Sequence, residues 1–306
     1  MTAPALPVPA ADVVGKATKR KAYNRDNQRS AALTIVMWLA ALYFVLPLLW
    51  LFIASTKNNS DLFSTFGLWF GNSFNLFTNI VDVFTVQDGI YARWAINTVL
   101  YAGTSAVGAT LLATMAGYAF AKYRFPGGKL LFSITLGAIM IPLTALTIPT
   151  YLLFSQAGIT NTPWAVIVPS LVSPFGVFLM RVYAADAIPD SLIEAARMDG
   201  ASEVRIFWQV GLRLLGPGII TVLLFSLVAT WNNYFLPLIM LNSGELLPLT
   251  VGLAQQQATS AAGGGAQALF STVITGSFIS IIPLIIAFLY LQRYWQTGLA
   301  TGGVKG

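Results

Sequence analysis

The chain has 306 residues, 56% of them hydrophobic and only 9% charged, with a mean hydropathy of +0.72. A soluble domain carries about 25% charged residues, so this composition is that of a membrane protein. Cysteine and histidine are both absent. That excludes disulfides, thiolate or imidazole metal sites and the commonest general base. The charge of +6 and pI near 9.6 do not point to nucleic acid, because the basic residues lie beside apolar segments.

Residues 1–30 are rich in Pro and Ala and then basic, with Lys16, Lys19, Arg20, Lys21, Arg25 and Arg29 against Asp12 and Asp26. They show no apolar periodicity and read as a disordered tail, which either sets orientation or also touches anionic lipid. Ala31 to Thr56 is free of charge over 26 residues, more than the ~20 a bilayer needs. No small-residue cleavage site follows it, so it is expected to remain as the first span. Lys57 to Arg93 is mixed polar and aromatic, a loop with interfacial pieces. Trp94 to Ala121 is the second span, rich in the small residues that let membrane helices approach closely. Lys129 to Ser155 is the third, carrying Pro142 and Pro149, and Pro163 to Met180 the fourth. The charged segment Arg181 to Arg213 follows. Leu214 to Leu241 is the fifth span, Asn242 to Gln267 a polar loop, and Ala268 to Leu291 the sixth. No internal repeat is visible.

The orientation follows from the basic residues. One side comprises residues 1–30, the 122–129 loop, the 181–213 segment and the tail 292–306, and it holds all but Lys57 and Arg93 of the 17 Lys and Arg. The positive-inside rule makes that side cytoplasmic, with both termini inside. The fold class expected is an all-α membrane protein in the cell membrane: a six-helix transmembrane domain over 31–291, with a cytoplasmic helix pair between helices 4 and 5.

That pair, Pro189 to Trp208, is the most charge-dense stretch after the tail. Pro189 fits just before a helix start, and Asp190 or Ser191 can cap it. Asp199-Gly200 ends the helix after Met198, since glycine accepts the left-handed conformation at little cost. Ser202 can cap a second short helix. The product is helix, turn, helix, with a small-residue face at Ala195 and Ala196 and a carboxylate at Glu194. It is either a charged connector or a surface on which Glu194 meets a partner's arginine.

The spacing Glu194-Ala195-Ala196, Gly200, then Val210-Gly211-Leu212 resembles the EAA signature of permease subunits in binding-protein-dependent ABC importers. Arg213 stands where that signature has proline. Asp199-Gly200-Ala201-Ser202 and the ending Leu291-Gln292-Arg293-Tyr294-Trp295, with Gly303-Val304-Lys305-Gly306, resemble the carbohydrate branch, closest to the smaller permease of maltose-type systems. The resemblance implies a transport subunit rather than an enzyme. Its partners would be a second permease in a heterodimer, two ATP-binding subunits, an extracellular or periplasmic sugar-binding protein and membrane lipid. ATP and Mg would sit on the partner subunit, with no cofactor in this chain and no nucleic-acid partner. Glu194, Ala195, Ala196, Asp199 and Gly200 would dock into the ATP-binding subunit. Val304, Lys305 and Gly306 would reach between the two ATP-binding subunits. The chain carries no Gly-x-x-x-x-Gly-Lys-Ser/Thr pattern of its own.

Trp231-Asn232-Asn233-Tyr234 falls in the extracellular part of the fifth span. Asparagines are unfavourable in lipid, so at least one faces protein or a polar cavity. The group is either sugar-facing, with rings for sugar faces and amides for hydroxyls, or part of helix packing. Thr144, Thr147 and Thr150 recur every three residues and either line a pathway or bond their own backbone. The 242–267 loop resembles the external loop that reaches toward the sugar-binding protein in maltose-type systems, with Gly263-Gly264-Gly265 as its receptor-facing tip; the alternative is a plain connector. The rival class is a secondary transporter or channel, but the span interiors carry no ionisable residue to couple ions. A membrane-embedded enzyme lacks any histidine, cysteine or intramembrane carboxylate pair.

The orientation is tested in a chain free of native cysteine. A cysteine at Ser202 is expected to resist an impermeant thiol reagent in intact cells, and one at Gly264 to react. Labelling at Ser202 in sealed cells overturns the orientation.

Overall fold

In a bilayer every backbone polar group needs a partner inside the chain, which leaves helices or closed barrels. The structure, a computed structural model, describes residues 31–262 and 269–302, the last of these from 295 on by backbone alone. All regular structure among the described residues is helical. Gly263, Gly264, Gly265, Val304, Lys305 and Gly306 lie outside the described residues.

Helix α1 is Ala31–Ser55, and its residues before and after Pro47 belong to separate units. Short α2 (Asn59–Ser64) and α3 (Leu76–Thr85) follow, then a 3-10 turn Val86–Gly89. α4 runs over Ile90–Lys122. Next come α5 (Gly128–Ile139), α6 (Leu143–Gln156), α7 (Trp164–Ser170) and α8 (Pro174–Ala187). α9 (Asp190–Met198) and α10 (Glu203–Ile206) lead through a π turn, Phe207–Gly211, into α11 (Leu212–Leu214). α12 (Gly216–Trp231), α13 (Phe235–Met240), α14 (Leu249–Ala262) and α15 (Phe270–Gly302) complete the chain. Helices before and after Leu291 are one element, so the tail expected from 292 continues α15 as far as Gly302.

Among the described residues, four helical stretches are long and apolar enough to cross a membrane, or up to six if each of two bent pairs counts as one span. The third span expected from sequence is one of these pairs, bent by 105° between α5 and α6. Pro142 is the cause: it holds the extended N-cap of α6 with ψ of 124°, and proline disfavours helix in the residue before it. Pro149 lies inside α6 without ending it. The fifth span also departs from expectation. It ends at Trp231, because Asn232 leaves helical geometry, and α13 is a separate short helix.

α4 is the axis of the larger unit. At 1.5 Å per residue its 33 residues extend about 50 Å. A buried stripe of small residues, Ala102, Ser105, Ala106, Ala109, Thr110, Ala113, Thr114 and Gly117, runs along it. α8 and α12 pack against it. One buried cluster gathers Tyr91, Trp94, Tyr101, Val166, Met240, Leu247 and Val251 around the first turns of α4. A second gathers Tyr118, Met180, Ile188, Ile193, Ile206, Leu215 and Val222 around its last turns.

The polar stretch after residue 241 is not a plain connector. Its base is bound to two other elements and its middle is α14. Asn161 accepts from the backbone N–H groups of Asn242 and Ser243, both at 2.9 Å, and donates to Ser243 Oγ at 2.9 Å. From α4, Trp94 Nε1 donates to the Gly244 carbonyl, Asn97 Nδ2 to those of Glu245 and Leu247, and Tyr101 Oη to that of Leu246, at 2.7–3.1 Å. The Thr98 hydroxyl accepts from Leu249 N–H at 2.8 Å. Residues 94, 97, 98 and 101 share one helix face by their spacing. α14 then sits so close to α4 that a Cβ at Gly252 would overlap the Trp94 indole.

Asn161 does this from a left-handed conformation, φ 59°. Asn161→Ala loses the bonds and strains the backbone, and is expected to cost about 2–4 kcal/mol. Asn161→Gly loses the bonds alone and falls between the wild type and Asn161→Ala. Thermal unfolding in detergent, followed by tryptophan fluorescence, gives that order; equal midpoints for the three refute the clamp.

Candidate functional site

The helix pair at 190–206 hangs from the ends of α4 and α8. α9 anchors itself through Ile193, which packs with Ile206 and Phe207 of the following segment and with Tyr118, Met180 and Ile188. The cap expected at Asp190 or Ser191 does not form; Pro189 occupies the N-cap position without a side-chain bond. Asp190 turns instead to Lys122, whose buried Nζ donates to its carboxylate at 2.8 Å and to the Ile188 carbonyl at 2.6 Å. That ammonium holds the Asp190 carboxyl below its usual range. Ser202 does cap α10, accepting from Arg205 N–H.

The turn between the helices is a complete Schellman motif. Ala201 N–H donates to the Ala196 carbonyl and Gly200 N–H to that of Arg197, both at 3.0 Å. Gly200 has φ 76°, the left-handed value expected of it. Ala196 and Ala201, on either side of the turn, both pack against the buried cluster. Arg197 closes the pair from outside, bonding Glu203 at 2.6 and 3.2 Å, while Tyr123 Oη donates to the same carboxylate at 2.9 Å. Arg197 first, and Tyr123 second, hold the Glu203 carboxyl below its usual range.

Acidic groups in the pair therefore divide. Asp190 and Glu203 are bound within the chain. Glu194 and Asp199 are exposed and, among the described residues, their carboxylates have no hydrogen bond or ion pair. The two alanines divide as well: Ala196 is half-buried under the turn, and Ala195 is exposed. The outer face also presents Leu192, Met198, Val204 and Trp208, which the sequence reading did not single out. Met198 is 88% exposed, and Leu192, Val204 and Trp208 are exposed with it. Beyond this face the chain enters the π turn at 207–211, a conformation frequent at functional sites, and then bends by 80° into α12.

The second candidate group lies at the end of α12. Trp231, Asn232 and Tyr234 line a cavity of about 340 Å³ together with Gln257 of α14 and Ser277 and Ser280 of α15. Asn233 does not line it; its Oδ1 caps α13 by accepting from Leu236 N–H, and its carbonyl accepts from Thr250 Oγ1 at 2.9 Å. Asn232 Nδ2 donates back to the Val228 carbonyl at 3.0 Å. Thr147 and Thr150 bond the carbonyls one turn earlier, which accounts for their hydroxyls without a pathway.

Residues 109–298 match the family model described as "Binding-protein-dependent transport system inner membrane component". The chain is 35% identical over 275 residues to the arabinooligosaccharides transport system permease protein AraQ of Halalkalibacterium halodurans, covering 90% of this chain and 96% of that one. It is 29% identical to the lactose transport system permease protein LacG of Rhizobium radiobacter, covering 88% and 94%. Its fold is similar to that of a chain from a bacterial ABC transporter involved in the import of the acidic polysaccharide alginate. The TM-score is 0.75 at 23% identity, over 89% of this chain and 99% of that one.

The turn and the clamp have separable consequences. Gly200→Val forces a β-branched residue into positive φ and is expected to cost more than ~1 kcal/mol and to free the second helix. Glu203→Gln removes only exposed pairing and shifts the unfolding midpoint little. Because the folded Glu203 pKa is depressed, its contribution is complete at neutral pH and is lost as pH falls through that pKa, below the ordinary glutamate range. Limited proteolysis between residues 197 and 205 reads both effects; Gly200→Val cut no faster than wild type at pH 7 refutes the role given to the turn.

Proposed function

Because this chain belongs to the family of binding-protein-dependent transport system inner membrane components, we propose that it is a permease subunit of an ATP-driven sugar importer. It forms half of the translocation pathway, in six spans with both termini in the cytoplasm. The sugar class is supported by the names of its relatives, which include arabinooligosaccharide and lactose permeases. The second permease is a different chain, giving a heterodimer. Two ATP-binding subunits carry ATP and Mg, and a sugar-binding protein delivers substrate from outside.

Coupling runs through the 190–208 pair. The observation that carries this is the division of its charges. Asp190 and Glu203 are spent on holding the pair rigid, while Glu194 stands exposed and unpaired beside Ala195 and Met198. A carboxylate presented on a preorganised helix suits a basic residue in a cleft of the ATP-binding subunit, with Asp199 and Gly200 at the lip. Closure of two ATP-bound subunits then moves the pair, and the rigid link to α4 and α8 passes that displacement to the spans. ATP binding drives transport only if it favours one global state of the spans over the other.

Sugar passes by the cavity at the end of α12. Trp231 and Tyr234 offer rings, and Asn232 offers an amide, to a molecule that is half apolar face and half hydroxyl. Asn233 shapes the break between α12 and α13. Gly263, Gly264 and Gly265 face the sugar-binding protein, and Val304, Lys305 and Gly306 contact the ATP-binding subunits.

Removing one member of a buried ion pair costs about 3–5 kcal/mol, against ~0–1 for a surface pair. Glu194→Lys is thus expected to leave the protein in the membrane, abolish sugar uptake and lower co-purification of the ATP-binding subunit more than 100-fold. Uptake and co-purification equal to wild type, at matched membrane levels, sink the coupling role. Trp231→Ala separates the second element: uptake falls while the ATP-binding subunit stays bound.

A further inference from the structure

The segment between α1 and α4 presents an aromatic surface apart from the 190–208 pair and from the cavity at the end of α12. Phe63, Phe66, Trp69, Phe74 and Phe77 are exposed, Trp69 at 69% and Phe77 at 75%. The rings form a continuous ladder. It starts at Phe52 in α1 and passes through Phe70, flanked by Trp69, to Phe74 and Phe77, with centroids 6.0–6.5 Å apart. On α3 the exposed apolar residues are Phe77, Val81 and Phe84, spaced i, i+4, i+7, which is one helix face. Only Thr78 and Thr85 flank it, and the Thr85 hydroxyl is bound to the Val81 carbonyl. Asn79 and Val83 on the opposite face are buried.

The depth of α3 is set by its bonds. Asn79 Nδ2 donates to the carbonyls of Ser55 and Lys57 at 2.8 and 2.9 Å, so α3 lies level with the last turn of α1. It also packs against α15. At its far end Phe84 meets Tyr91 edge-on, and Tyr91 bonds the Gly276 carbonyl, nearly two turns inside α15. α3 therefore runs beside the ends of two apolar helices rather than above them.

Two charged groups of this segment turn inward. Lys57 is 1% exposed and donates to Thr65 Oγ1 and the Phe66 carbonyl. Asp61 is buried and accepts from Asn72 N–H and Nδ2. The outward face of α3 itself, Phe77, Val81 and Phe84, offers no side-chain donor or acceptor. A protein partner would want about one hydrogen bond per 100–200 Å² of contact, and lipid wants none. Aromatic residues at the ends of spans are the pattern of the membrane–water interface.

We propose that α3 and the aromatic ladder lie in that interface, with Phe77, Val81 and Phe84 embedded in lipid beside the ends of α1 and α15. The element is an in-plane anchor for this end of the permease, of the kind an amphipathic helix with an apolar face makes. It depends on the chain spanning a membrane and not on the sugar or coupling readings, so Glu194 variants leave it untouched.

The chain lacks cysteine, so single nitroxide labels are straightforward. Phe77→Cys, Val81→Cys and, as an aqueous control, Glu245→Cys are labelled in the assembled transporter in phosphatidylcholine nanodiscs. Collision with oxygen is compared with collision with a water-soluble nickel chelate. Oxygen is expected to dominate at 77 and 81 and nickel at 245. Dominance of nickel at 77 and 81 means a water-facing helix, and exclusion of both reagents means a protein-covered one; either overturns the proposal. As a second reading, brominated acyl chains should quench less of the total tryptophan emission in Trp69→Phe than in wild type; equal quenching also counts against the anchor.

Discussion

The close approach of α8 and α12 to α4 is the constraint on which the rest depends. Lipid tails are as apolar as leucine, so helices in a bilayer gain little by hiding apolar surface from it. What holds them is contact, and contact needs small side chains. α4 buries a stripe of alanine, serine, threonine and Gly117 through its middle, keeping its large buried residues for the two ends. At Gly117 the Met180 side chain and the Arg181 backbone come so near that a Cβ would not fit. The helix is thereby a strut: aromatic and amide groups at one end bind residues 244–249, and Tyr118, Lys122 and Tyr123 at the other bind the 190–206 pair.

At each end the chain satisfies its own polar groups before presenting others. Lys122, Asp190, Arg197 and Glu203 are used to fix the pair, as Asn161 and Asn97 are used to fix the base of α14. The groups left over, Glu194 and Asp199 on one surface and Gln257 near the cavity on the other, are thus held in place before any partner arrives. A surface whose positioning is already complete loses less freedom on binding, and so binds more tightly for the same contacts.

Much of this was legible in the sequence where a single force acts alone. Charge-free stretches marked spans because one ionised group in lipid outweighs many methylenes. Asp199-Gly200 marked a turn because only chain geometry decides it. What misled were positions where two requirements compete. Pro142 and Pro149 are alike in sequence, yet only the first breaks a helix, since tertiary packing decides whether a missing N–H is tolerated. α14 was hidden because its stretch, Leu249 to Ala262, is polar and small and carries little apolar periodicity; it is held by Trp94 and by Thr98, some 150 residues away in the chain. Lys57 read as a loop cation, and its burial depends on a carbonyl and a hydroxyl that no local pattern announces. Ala195 and Ala196 are indistinguishable by type, and only the Schellman turn sends one inward.

Two glycines of this chain are irreplaceable for opposite reasons. At Gly252 the backbone is ordinary and the neighbouring indole leaves no room, so the demand is on volume. At Gly200 nothing lies within 4 Å of where a Cβ would stand, and the demand is on handedness. An L side chain there is strained however small it is, while a residue of opposite chirality would sit without strain. The junction of the two short helices is thus a point where the protein is constrained by mirror symmetry rather than by space.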